Sequence, residues 1–164
     1  MAGKAAAEET HELGCIVATT ANDLLSIADR LHDEYFDVDE IAWDEKARTL
    51  DIPFRRIFHD GPSRRIKNRL IYWVDEVDVL RCSLRFLDVV TYTLDDRTNI
   101  GALSLNRFHY DEKRGVVTLE CCEECGFSIR VDGLRAEYRE MGYRGKARIT
   151  RGICWDSNSS QVYE

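Results

Sequence analysis

Residues 110–131 read YDEKRGVVTLECCEECGFSIRV, and the way that stretch divides decides the fold. Val117, Leu119 and Cys121 fall on one side of an extended chain, Thr118, Glu120 and Cys122 on the other. That period of two marks a half-buried strand. Phe127, Ile129 and Val131 then alternate with Ser128 and Arg130, so the chain reverses between them, at Glu123-Glu124-Cys125-Gly126. Upstream, Asp111 can bond backbone amides ahead of it in a type I turn, and Gly115 tolerates a positive φ. The same grammar occurs earlier, where WDEKARTLDI at 43–52 parallels YDEKRGVVTL at 110–119. Both predict β-hairpins with short polar loops. The match ends where the strands diverge, so it reads as a shared turn solution rather than a duplicated domain.

Working outward, Leu24, Leu25, Ile27, Ala28 and Leu31 recur at helical spacing behind Thr20 or Asn22 as N-cap, with Asp23 in the first turn. They predict a helix over 21–34. Leu80, Cys82, Leu84 and Phe86 alternate with Arg81, Ser83 and Arg85, and LDVVTYTL, ALSLNRFHY and ARITRGICW continue the strand character. LIYWV at 70–74 reads as a fully buried strand. Trp43 and Trp73 are assigned to the core or a sheet face, and Trp155 to an exposed position. No helix pattern follows residue 39. The expected fold class is therefore α+β, an N-terminal helix packed on a mostly antiparallel β-sheet or sandwich of about seven to nine strands. Residues 1–18 are expected to be disordered, 19–155 to form a single α+β domain, and 156–164 to be a frayed polar tail.

A chain of 164 residues that is 44% apolar can bury a real core without staples. No window approaches eighteen apolar residues, and MAGKAAAEETHELGC lacks the apolar run of a signal peptide. A cytoplasmic protein with reduced thiols is expected, and no membrane partner. The net charge is −7, distributed as −9 over 1–54, +5 over 55–69 and −3 over 70–164. An acidic body argues against general nucleic-acid binding.

Four readings compete for chemistry. Cys122-x-x-Cys125-Gly has the spacing of a zinc knuckle, but structural zinc takes four ligands. Cys82, Cys154, His59 and His109 are isolated in sequence, so zinc binds only if folding delivers two of them. A redox role is disfavoured, because Glu120, Glu123 and Glu124 oppose thiolate formation and no helix follows. His59-Asp60 echoes a metal-binding dipeptide of phosphohydrolases without that family's further ligands. No nucleophile elbow, phosphate-cradling glycine loop or zincin motif is present, so no catalytic residues and no cofactor are assigned. The basic segment RRIFHDGPSRRIKNR at 55–69 turns at Gly61-Pro62-Ser63. It predicts an exposed loop in which Arg55, Arg56, His59, Arg64, Arg65 and Lys67 could grip anionic groups. The alternative, which the acidic body favours, pairs these cations with Asp33, Glu34, Asp37, Asp39 and Glu40 of the same chain.

The stretch VTYTLDDRTNIGALSLNRFHYDEKRGVVTLE followed by FSIRVDGLRAEY resembles a loose group of small bacterial β-rich proteins of unknown function, some of them immunity proteins of toxin systems. The resemblance spans about residues 40–140 and rests on strand rhythm and the aromatic-Asp hairpin. Together with the acidic body, the single basic segment and the lack of an assembled motif, it implies a cytoplasmic bacterial protein of non-catalytic binding or interaction function, which could be immunity-like, with an unidentified protein partner. The alternatives are a metal-dependent or hydrolytic protein using Cys122 and Cys125 with a histidine, and an anion or nucleic-acid binder using 55–69. The oligomeric state is left open.

Overall fold

The computed structural model describes residues 14–57, 63–97, 99–122, 125–152, 156–157 and 162–163. Strand β1 (Cys15–Ala18) leads into helix α1 (Ala21–Leu31). Strands β2 (Tyr35–Asp37), β3 (Ala42–Asp44), β4 (Thr49–Ile57), β5 (Arg64–Asn68), β6 (Tyr72–Phe86) and β7 (Val89–Asp95) follow. The chain continues through β8 (Ala102–Asp111), β9 (Val116–Cys121), β10 (Gly126–Val131), β11 (Ala136–Gly152), β12 (Asp156–Ser157) and β13 (Val162–Tyr163). Every pairing is antiparallel.

The expected α+β fold of seven to nine strands is overturned. The described residues form a mostly β protein with one α-helix and one thirteen-stranded sheet, ordered β1-β11-β6-β4-β2-β8-β9-β10-β7, with the other strands attached alongside. Two physical features defeat the count. The first is β8, whose residues Ala102–Ser104 pair with β2 and whose Leu105–Asp111 pair with β9, so a single strand carries the sheet around the core. The second is the length of β6 and β11, whose edges recruit partners as short as two residues. Such segments are too short to show a period in sequence. Cys15–Ala18, within the segment expected to be disordered, pairs with β11, as do β12 and β13 within the expected tail.

The sheet curls tightly. Strands β2 and β10 are three steps apart, about 14 Å in a flat sheet, yet the Phe36 and Phe127 rings lie 6.1 Å apart. Trp43 of β3 likewise meets Tyr92 of β7 at 5.7 Å. The core fills that concavity with Phe36, Leu50, Ile52, Phe54, Leu84, Phe86 and Leu119, and Leu24, Ile27 and Leu31 of α1 close it. Helix α1 starts at a full capping box, Thr20 with Asp23. It ends three residues earlier than predicted, because Asp33 adopts φ 63° and turns the chain into β2.

A second cluster, Ile57, Val77, Val79, Ala147 and Ile149, is buried separately. On β6 the main core takes Leu80, Cys82, Leu84 and Phe86, whereas Val77 and Val79 are odd-numbered and face the opposite side. The β6–β11 ladder therefore changes its buried face midway. The change coincides with register shifts at Glu140/Gly142 and Tyr143/Gly145, where Gly142 has φ +105°.

Candidate functional site

The distal part of β6 carries a hairpin arm. Strand β4 stops pairing at Ile57↔Val79, whereas β6 continues back to Tyr72. Those seven residues extend about 20 Å along the strand. Strand β5 pairs with this extension through Arg64↔Glu76, Arg65↔Asp75, Lys67↔Val74 and Asn68↔Trp73, with a bulge between Arg65 and Lys67. The Arg69 amide donates to the Tyr72 carbonyl at 2.8 Å, which places Leu70 and Ile71 at the turn. Far from being a buried strand, LIYWV opens at the tip: Leu70 is 94% exposed and Ile71 60%. All five residues of β5 are exposed.

The arm's chemistry is layered from tip to base. Behind Leu70 and Ile71 come Arg69, Lys67 and Tyr72. The Lys67 ammonium sits 5.4 Å from the Tyr72 ring centre, and a hydrogen bond with Lys67 holds the Tyr72 phenol below its usual pKa. One layer further, the Arg65 guanidinium lies 5.0 Å from the Trp73 ring centre and 3.0 Å from Asp75. Asp75 is buried and also meets Arg151 at 3.9 Å. This pairing anchors the base on the second apolar cluster. No acid occurs from residue 61 to 74, so the arm carries only cations from its tip back to Val74, with the half-buried Glu76 opposite Arg64 nearer the base.

The predicted basic residues part company in the fold. Arg64, Arg65 and Lys67 lie on β5, so that part of 55–69 is strand rather than loop. Arg55 is bound to Asp37 at 2.6 Å, as the self-pairing alternative expects. Arg56 shares the phase of Leu50, Ile52 and Phe54 and turns into the core. His59, Asp60, Gly61 and Pro62 lie outside the described residues. Sequence reasoning missed Leu70 and Ile71, since an apolar run reads alike in a buried strand and at a hairpin tip. The basic residues on one side of the run were the available signal.

Arg56 joins a buried polar cluster. Glu140, its side chain 1% exposed, accepts from Arg56 at 3.0 Å, the Tyr138 hydroxyl at 3.0 Å, Arg30 at 3.4 Å and the Gly14 amide at 2.7 Å. Tyr138 also contacts the Cys82 thiol at 3.3 Å. Burial pushes Cys82 up to about 11 and raises Tyr138. Nearby Glu34 accepts from the Ile57 amide at 3.1 Å, and burial raises its carboxyl to about 7. These groups satisfy one another and tie β1, α1, β4 and β11 together. Their geometry is that of a structural clamp.

The cysteines give no metal centre among the described residues, where no three His, Cys, Asp or Glu side chains are gathered as ligands. Cys121 is buried on the core side as expected, and burial pushes its thiol up to about 12. Cys122 is exposed and Cys125 buried. The Cys121 amide donates to the Cys125 carbonyl at 2.9 Å, closing the reversal between β9 and β10. His109 is exposed on β8 and Cys82 lies in the core. Glu123, Glu124, Cys154 and Trp155 lie outside the described residues. A depression of about 490 Å³ on the outer sheet face contains Arg81, Arg85 and Arg139, but Arg85 is held by Asp51 and Arg139 by Glu137. No helix is long and apolar enough to cross a membrane among the described residues. Comparison with protein-family models, with curated proteins and with solved structures gave no match.

Proposed function

We propose that the chain is a non-catalytic binding protein whose contact element is the arm of β5 and β6, and that its partner is anionic. The observation that carries this reading is the juxtaposition of Arg64, Lys67 and Arg69, all exposed and without an intervening acid, beside an exposed apolar tip. Elsewhere Arg85 and Arg139 of the depression and Arg56 of the buried cluster are engaged by carboxylates. Charge complementarity would guide an anionic partner to the arm and away from the acidic body. An immunity-like role fits this element only toward a toxin with an acidic contact face, because a basic face would be repelled by it.

Retention on immobilised heparin, a generic polyanion, tests the reading. The wild-type chain should be retained at low salt and released as salt rises. The Arg64→Ser/Lys67→Ser/Arg69→Ser variant should pass through, while Arg107→Ser/Lys113→Ser, remote from the arm, should elute with the wild type. Equal elution of all three proteins, or no retention of the wild type, would overturn the assignment.

A further inference from the structure

We infer that the arm's anionic partner is a lipid bilayer surface, which Leu70 and Ile71 enter while Arg69, Lys67 and Arg64 remain among anionic headgroups. The inference rests on the arm being the contact element and adds the class of partner. Its basis is the order of chemistry along one hairpin. Two aliphatic side chains stand at the tip, 94% and 60% exposed. Cations and the amphipathic ring of Tyr72 follow, Trp73 lies beneath Arg65 with its indole nitrogen buried, and the ion pair of Asp75 marks the base. A bilayer interface presents hydrocarbon, then anionic and dipolar headgroups, then water, in the same sequence. Aromatic rings with one apolar and one polar end settle at headgroup depth, and lysine and arginine extend toward the phosphates.

Other occupants explain less. A nucleic-acid backbone would reward the cations but leave Leu70 and Ile71 in water, since such contacts are made by charged and polar groups and stacked rings. Basic residues on an edge strand do guard against edge-to-edge pairing, which accounts for Arg64, Arg65 and Lys67. That role does not account for an aliphatic pair at the turn, where water normally selects Gly, Asn or Asp. No membrane-spanning segment is needed, because surface binding arises from a small buried apolar area combined with attraction to anionic lipid. Neither element suffices alone: a shallow apolar tip binds marginally, and each cation near the surface adds about fivefold. With a body of net negative charge, an anionic bilayer would also repel every approach except arm first.

Co-sedimentation of the full chain with vesicles tests the inference. Vesicles of phosphatidylcholine mixed with phosphatidylserine should carry the wild-type chain down, and pure phosphatidylcholine vesicles should not. Leu70→Ser/Ile71→Ser should weaken vesicle binding by roughly tenfold or more while leaving heparin retention and the thermal midpoint unchanged, because both residues are exposed in the free protein. The Arg64→Ser/Lys67→Ser/Arg69→Ser variant should lose both vesicle and heparin binding. Heparin retention without vesicle binding would overturn the lipid assignment and leave the anionic-partner reading standing. Loss of both in the wild type would overturn both. Vesicle binding unaffected by the tip substitutions, or equal on pure phosphatidylcholine, would overturn the insertion geometry.

Discussion

Glu34 is where a single residue has the clearest consequence. It follows the left-handed Asp33, is buried, and holds the Ile57 amide. Burial raises its carboxyl from 4.5 to about 7, against the opposing effects of that hydrogen bond and of Arg56. In the unfolded chain the group ionises near 4.5, whereas the folded chain keeps its proton until about pH 7. The folded state therefore holds more protons across that window, and stability falls as pH rises through it. Urea unfolding at a series of pH values should show this decline in the wild type. Glu34→Gln, which keeps the acceptor and removes the ionisation, should flatten it and be the more stable protein above pH 7, by on the order of 3 kcal/mol. A variant with the wild-type slope would show that Glu34 ionises normally. None of this was visible in the sequence, where Glu34 read as one of five surface acids available to the basic segment.

Turns are the elements that sequence described best. The parallel between WDEKAR and YDEKRG holds in three dimensions: Asp44 accepts from the Ala47 amide at 2.9 Å and Asp111 from the Arg114 amide at 3.2 Å. The following residue is left-handed in both, Arg48 at φ 54° and Gly115 at φ 61°. The two positions nevertheless differ in their neighbours. A Cβ at Gly115 would lie 2.7 Å from the Val131 carbonyl oxygen, while Arg48 uses its side chain to donate to the carbonyls of Val89 and Asp88. Gly115→Ala should lower stability by about 2 kcal/mol or more, from left-handed strain plus that clash. Arg48→Gly should change it by less than about 1 kcal/mol, since relief of strain offsets two lost hydrogen bonds. Thermal or urea melts of the pair check both, and equal losses would sink the argument. The helix was equally legible, because its capping box and apolar stripe are local.

At the scale of the molecule, β6 and β11 belong to two apolar clusters on opposite faces of one ladder. The body is closed by α1 and by the curl of the sheet, whereas the arm rests on the β11 ladder, which runs to Tyr72↔Gly152, on five buried apolar residues and on the Asp75 ion pairs. Local opening follows the number of buried contacts. Amides of 64–68 and 72–76 should therefore exchange with deuterium well before those of 80–86 and 136–140. Uniform protection along β6 would contradict a separately opening arm.

What the sequence determined by itself was whatever depends on neighbours in the chain. That covers the period of two in β6, β9 and β10, the Asp-led turns, the capped helix, and the inward placement of Cys121. Tertiary structure alone decided the rest. It joined thirteen strands into one curled sheet through β8, paired the part-buried Arg56 with the buried Glu140, and left Leu70 and Ile71 at a tip. The physical reason is that alternation tells which residues share a face. Which face is dry depends on what packs against it, and along β6 the answer changes between Val79 and Leu80.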